Sequence, residues 1–385
     1  MSSITPRPQR IDVSEYLRQQ QQNPLNAGHI EWWTAFEELY QKRLWHQLTK
    51  KVFEFVKTQN FGHLLEFYEN FISDFETKMN YLTLIEIIAY VLKQIPSHEA
   101  RVEFINKMKD KVKANREAHI LCNIFLGQSM LLVNDLKGVK DLLEVTNKLI
   151  EEETGITSVH SRYYRLSSDY HQKVGNHCEY YRDALRYLGC QIPGAVFEVE
   201  DAETQAQRAF TLSLAAILGE SIFNFGELLQ HPIVDQLKPE NQYMKDLLYA
   251  FNSGDLTKFE ALKPQWSQQP DLASHERSMA QKICLLSLME QTFNSTNGII
   301  TFAEISKQTR LPVNEIELLV MKALSLGLVK GTIDEVDQTV HLYWVQPRVL
   351  EKKQIESMKN RLDLWFKEVH VIEKLLETRA AEIIN

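Results

Sequence analysis

At 385 residues the chain is long enough for two or three domains, and its 44% hydrophobic content is ordinary for a folded protein. A formal net charge of −8 argues against a general nucleic-acid binder, which needs a cationic face to displace counterions from phosphate. No window reaches the apolar run of ~18 residues that a membrane span requires, and Thr5, Pro6, Arg7 and Pro8 lack the apolar core of a secretory signal.

Four scattered cysteines, Cys122, Cys178, Cys190 and Cys284, form no Cys-x-x-Cys pair. Such thiols fit a reducing compartment, where they act as small core residues.

From about Asp12 to Gln291 the pattern predicts helix almost throughout. Asp12 and Glu15 have capping-box spacing, with Ile11 and Tyr16 placed for a hydrophobic staple. The run Gln19 to Gln22, followed by Asn23 and Pro24, reads as a frayed end or linker. Amphipathic segments follow at 32–45, 61–75 and 81–95, broken by Asn60-Phe61-Gly62, Ile95-Pro96-Ser97, Gly155, Gly175-Asn176 and Pro193-Gly194. Three turns lead into similar text. Asn60-Phe61-Gly62 precedes Leu64, Leu65 and Phe67; Asn134-Asp135-Leu136 precedes Val139, Leu142 and Leu143; Gly254-Asp255-Leu256 precedes Phe259 and Leu262. A polar turn followed by a large apolar residue one helical turn later is how helical hairpins stack into a solenoid. The tyrosines at 163, 164, 170, 180, 181 and 187 read as interhelix packing.

The pattern changes at Asn297-Gly298. Ile299 and Ile300 form a short apolar run, and Thr301 with Glu304 repeats the capping-box spacing at the start of a helix ending near Thr309. Leu311-Pro312 opens a second helix over 313–326, and Gly327 stands where a helix stops. Leu328-Val329-Lys330-Gly331-Thr332-Ile333 and Val340-His341-Leu342-Tyr343-Trp344-Val345 read as hairpin strands about a turn at 334–338. A short strand, two helices and a hairpin make a winged helix. The expected hairpin edge, with Val340, Leu342 and Trp344, is a candidate for strand addition or packing by another subunit.

The last stretch carries one apolar stripe. With Ile355, Leu362, Val369, Leu376 and Ile383 at heptad position a, Met358, Trp365 and Ile372 fall at d, and only Arg379 breaks the series. The flanks hold Phe366 and Leu375 beside charged Lys359, Arg361, Glu368, Glu373 and Glu382. Apolar flanks and a Trp at d widen the stripe beyond a two-stranded seam and favour a bundle of several helices. Folding back onto the chain's own solenoid is the alternative. The expected organisation is a tail with a short helix over 1–28, a solenoid over 29–172, a second domain over 173–346 with its winged helix at 298–346, and a terminal helix over 347–385.

Little here supports chemistry. There is no Gly-Lys-Ser/Thr phosphate loop and no Gly-x-Gly-x-x-Gly, and His98-Glu99 and His275-Glu276 lack the second histidine of a zinc-binding helix. His171, His177 and Cys178 would not share one helix face. No Gly-x-Ser-x-Gly elbow occurs. As a DNA reader the winged helix would present Asn314, Glu315 and Glu317 to the groove, with Lys322 the one cation on that helix. Across residues 299–345 six acids (Glu304, Glu315, Glu317, Asp334, Glu335, Asp337) face four bases (Lys307, Arg310, Lys322, Lys330), a sum of −2.

A helical-repeat array running into a winged helix and a terminal helix is the layout of the PCI-domain family, whose members scaffold the proteasome lid, the COP9 signalosome and a translation-initiation factor. The text is most similar to lid members at His160-Ser161-Arg162-Tyr163-Tyr164, at Tyr180-Tyr181-Arg182-Asp183-Ala184-Leu185-Arg186-Tyr187-Leu188-Gly189 and at Asn252-Ser253-Gly254-Asp255-Leu256. It resembles them again at Val313-Asn314-Glu315-Ile316-Glu317-Leu318-Leu319-Val320-Met321-Lys322-Ala323-Leu324, at Gly327-Leu328-Val329-Lys330-Gly331 and at Trp344-Val345-Gln346-Pro347-Arg348-Val349-Leu350.

The resemblance implies that 173–346 is a PCI domain and that the chain is a lid subunit without catalysis or cofactor. It also implies a hetero-oligomer with other PCI and metalloprotease-fold subunits, in cytoplasm and nucleus. The His-x-His motif of the lid's zinc metalloprotease is absent. Membership of the signalosome or initiation-factor complex is the alternative within the family. A winged-helix nucleic-acid binder and a freestanding helical-repeat adaptor are the alternatives outside it.

Overall fold

The structure is a computed structural model. It describes residues 12–22, 28–58, 61–153, 155–190, 201–295, 297–350 and 352–384, without the side chains at 353 and 380–384. Ile11, Asn23, Pro24, Asn60, Pro193 and Gly194 lie outside the described residues. The fold is mainly helical, with one three-stranded sheet among the described residues. It divides into two compact units, Met1–Gly175 with Asp183–Ala195 and Asn176–Arg182 with Val196–Asn385.

The first unit is a stack of helical hairpins running from Val13–Gln22 and Ile30–Gln41 to Leu136–Glu151 and Ser158–Val174. Its core starts in an aromatic cluster. The Trp33 ring packs edge-on against Phe36, Phe55 and Phe67 at centroid distances of 5.8, 5.5 and 5.4 Å. All four are fully buried, and edge-to-face pairs add to their area burial. Further along, Arg162 reaches Glu86 at 3.3 Å and ties Ser158–Val174 to Tyr81–Gln94. Burial pushes the Glu86 carboxyl up, and the Arg162 guanidinium opposes that push.

The repeat turns have a common physical basis. Asn134 takes a left-handed backbone, and Asp135 then caps the next helix by accepting from Gly138 N at 3.2 Å. In the second unit Gly254 takes the same conformation, and Asp255 Oδ1 accepts from Thr257 N and Lys258 N. A left-handed residue closes one helix and an Asp caps the next. The turn after Asn60 has no Asp, and its helix begins at Leu64.

In the second unit the central element is helix Glu276–Asn294, whose Met279, Ile283, Leu286, Leu288 and Met289 are buried. Gly254 lies so close that a Cβ there would meet Ser287 N and Cα at 2.7 Å. On the same helix Lys282 is buried, and its ammonium donates to the carbonyls of Ala216, Ile217 and Gly219 at 2.8, 3.0 and 2.6 Å. These carbonyls end helix Ala202–Leu218, where orphan acceptors and the helix dipole favour a cation. Burial nonetheless pushes the amine down to about 7.

The winged helix follows as β1 (Ile299–Thr301), helix Phe302–Thr309, helix Val313–Ser325, β2 (Val329–Asp334) and β3 (Thr339–Val345). Thr301 and Glu304 form the expected capping box. Strand order is β1-β3-β2, with both pairings antiparallel and a bulge between Lys330 and Gly331. This order corrects the expectation of an exposed hairpin edge at Val340, Leu342 and Trp344. β3 is the central strand, because β1 pairs with it from Thr339 to His341. Val340 and Leu342 are buried in the core, while Trp344 is half-buried beside Lys330, whose ammonium sits 4.8 Å from the ring centre. On the side that β1 covers, β3 is free of a strand partner only from Tyr343 to Val345.

Candidate interaction surface

Helix Lys352–Ile384, the last element of the second unit, starts from a pinned segment. Arg348 donates to Glu290 at 2.7 Å and to the carbonyl of Asn252 at 3.2 Å. The other oxygen of Glu290 accepts from Gln354 at 2.9 Å, and Asn224 Oδ1 accepts from Val349 N at 3.3 Å. Gly226 permits the close approach, since a Cβ there would meet Val349 Cβ at 2.5 Å. One carboxylate thus holds both the last residues before the helix and its first turn, which fixes where the helix starts and in which direction it runs. A groove of about 600 Å³ lies at this base, between Tyr343, Trp344 and Val345 of β3 and Met358, Arg361 and Leu362 of the helix.

Beyond that base the apolar stripe faces solvent. Ile355, Met358, Leu362, Trp365, Phe366, Val369, Ile372, Leu375 and Leu376 are between 41% and 69% exposed. Ile383 lies on the helix, with its side chain outside the described ones. The described side chains from Ile355 to Arg379 are all exposed, and none is buried against the helix's own unit. Leu364 and Val371, 60% and 63% exposed, were not among the expected surface residues. They stand seven apart at heptad position c, and that spacing was the available signal. With them the apolar surface extends beyond a seam onto a second side of the helix. Contiguous exposed apolar surface of this extent is rare on monomeric proteins.

The winged helix presents a second, smaller apolar surface. On helix Val313–Ser325 the outward residues include Asn314, Glu315, Leu318, Met321 and Ser325, with Leu318 and Met321 exposed. Lys322 is engaged with Gln281 at 3.1 Å. Phosphate would meet carboxylates and apolar groups there.

Among the described residues, Ser167, His171 and Asp183 lie together in the first unit. Ser167 donates to Asp183 at 2.5 Å, while His171 lies 3.8 Å from that same carboxylate oxygen. The serine proton is therefore directed at the carboxylate and not at the imidazole that a nucleophile would need. Among the described residues no group of three or more His, Cys, Asp or Glu could hold a metal ion. No described helix is long and apolar enough to cross a membrane.

Stacked helical hairpins that run into a winged helix, followed by a projecting amphipathic helix, define the PCI class of helical-repeat proteins. Family comparison agrees, since residues 250–344 match the PCI domain and residues 32–248 match the PSD13 N-terminal repeats. The chain is 35% identical to the 26S proteasome non-ATPase regulatory subunit 13 homolog B of Arabidopsis thaliana, covering 96% of this chain and 98% of that protein. It is 36% identical to the 26S proteasome non-ATPase regulatory subunit 13 of Dictyostelium discoideum, over 90% of this chain and 93% of the relative. A translation-initiation relative, eukaryotic translation initiation factor 3 subunit M of Aspergillus oryzae, is 23% identical over 50% of this chain. The chain belongs to the family of the 26S proteasome non-ATPase regulatory subunit 13.

Proposed function

We propose that the chain is a non-catalytic scaffold of the proteasome regulatory-particle lid, supporting degradation of ubiquitinated proteins through contacts between subunits. The observation that carries this reading is the terminal helix, whose base is pinned by Glu290 and whose apolar stripe no described residue of its own unit buries. A helix held rigidly at one end and left apolar along its length is suited to enter a bundle with helices of neighbouring subunits. The partners on this reading are other PCI and metalloprotease-fold lid subunits, in cytoplasm and nucleus. The open stretch of β3 from Tyr343 to Val345, beside the basal groove, would be a secondary contact.

Native mass spectrometry after pulldown tests the proposal by comparing the full-length chain with one truncated after Pro347. The full-length chain is expected in a large complex and the truncated one outside it. Equal incorporation of the two would refute the scaffold account of the helix.

A further inference from the structure

The charges beside the stripe are sorted along the helix. In the first half the charged flanking residues are Lys359, at position e, and Arg361, at position g. In the second half they are Glu373, again at e, and Glu368 and Glu382, again at g. Each flank therefore runs from basic to acidic in the chain direction. This order opposes the helix macrodipole, which favours acids near the N-terminus and bases near the C-terminus. An isolated helix gains nothing from the inversion, whereas a second helix can.

We propose that in the free subunit the stripe is covered by the same helix of a second copy of this chain, running antiparallel. The proposal rests on the reading of this helix as an assembly surface. In an antiparallel pair e faces e and g faces g, with the order of residues reversed. An axis near Trp365 then brings Lys359 within two residues of the level of Glu373 of the second copy and Arg361 within one residue of the level of its Glu368, offsets of about 3 Å or less at 1.5 Å per residue that these long side chains span. A two-fold pair repeats both contacts. A parallel, in-register copy instead sets g against the following e, so Glu368 meets Glu373, a like-charge pair that disfavours that arrangement. The apolar demand points the same way. Trp365 and Phe366, 65% and 69% exposed, sit at the proposed axis, where both copies would bury them together. The helix of 33 residues spans about 50 Å at 1.5 Å per residue, long enough for such a pairing. The free chain thereby hides its stripe, and a lid partner must displace the second copy to reach it.

Sedimentation equilibrium of the full-length chain at low salt provides the test. The unmodified chain should show a monomer–dimer equilibrium. Lys359→Glu with Arg361→Glu turns four attractive contacts repulsive, as does Glu368→Lys with Glu373→Lys, and each pair should raise the dimer Kd on the order of tenfold or more. All four reversals in one chain should restore the dimer, because antiparallel contacts are again opposite in sign. A parallel dimer would not recover, since position 368 would still meet position 373 with like charge. These side chains are exposed, so a thermal melt of each variant at a concentration well below the parent's dimer Kd should match the parent and exclude misfolding.

A strictly monomeric parent, a dimer indifferent to the reversals, or a fourfold variant that fails to recover would each overturn the proposal. If no dimer forms while truncation after Pro347 still keeps the chain out of the large complex, the inference falls and the lid reading stands. If the truncated chain enters that complex, the lid reading fails whatever the dimer does.

Discussion

The second unit contains two long amphipathic helices with opposite fates. In Glu276–Asn294 the residues Met279, Ile283, Leu286, Leu288 and Met289 are at most 1% exposed. In Lys352–Ile384 none of the exposed stripe residues falls below 41%. Both helices are rich in apolar side chains, so residue type alone does not separate them. What separates them is surroundings: a repeat turn, the winged helix and the end of Ala202–Leu218 converge on the first, whereas the described side chains of the second are exposed from Ile355 to Arg379. The first helix holds the unit together, and the second is stable in position but unsatisfied in surface.

The largest effect should come from the first helix. Leu286→Ala removes a fully buried side chain and should cost about 2–5 kcal/mol of stability, read in urea unfolding. A loss well under 1 kcal/mol would mean that this helix does not hold the unit together. Gly254→Ala comes next. It places a Cβ 2.7 Å from backbone atoms of Ser287 on a residue at φ 64°, and should cost about 2 kcal/mol. The equivalent left-handed residue in the first unit is already Asn134 (φ 66°), so Asn134→Gly should be close to neutral by the same measurement.

Those turns show which parts of the fold were legible in the sequence. Asp135, Asp255 and the Thr301–Glu304 pair act on backbone groups two or three residues away, and short-range hydrogen bonding is written in short-range spacing. The stripe of the terminal helix was legible for a related reason, since a helix face repeats every three or four residues. The strand order was not. Val340, Leu342 and Trp344 alternate identically whether β3 lies at an edge or in the centre. The residue that decides it is Ile299, some forty positions earlier, which pairs with His341. Lys282 was equally hidden: a cation within a helix reads as a solvated face until three distant carbonyls are brought to it. Glu290 is the third case, because its partners Arg348 and Gln354 are 58 and 64 residues away.

Lys282 gives a pH-dependent way to sharpen the contrast. Its amine titrates near 7 in the folded chain, against the ordinary 10.5 when unfolded. Below pH 7 both states carry the proton, and the cost of burying it is fully present. Between pH 7 and 10.5 the unfolded state binds more protons, so this group makes stability rise with pH, by up to about 1.4 kcal/mol per unit. Relative to Lys282→Met, the parent should therefore gain stability from pH 7 to 9 in paired urea titrations. A flat difference would show that the three carbonyls hold the amine charged throughout. The terminal helix has no buried cation of this kind among its described residues.

The smallest expected change in stability is the one that bears hardest on the comparison. Trp365→Ala with Phe366→Ala removes two of the largest side chains from the terminal helix. In the inner helix such a loss would unfold the unit, because Phe or Trp to Ala in a core costs about 3–5 kcal/mol. Here both rings are more than three-fifths exposed in the single chain, so at concentrations where the chain is monomeric little packing is lost, and the change in unfolding free energy should stay within about 0.5 kcal/mol. The same variant should weaken entry into the lid-sized complex by at least about tenfold, since large aromatic anchors dominate the energetics of an interface. A fall of several kcal/mol in stability would show that the stripe packs on its own chain in solution. An unchanged stability with unchanged incorporation would move the association site elsewhere, and the exposed Leu318 and Met321 of the winged helix would be the next residues to replace.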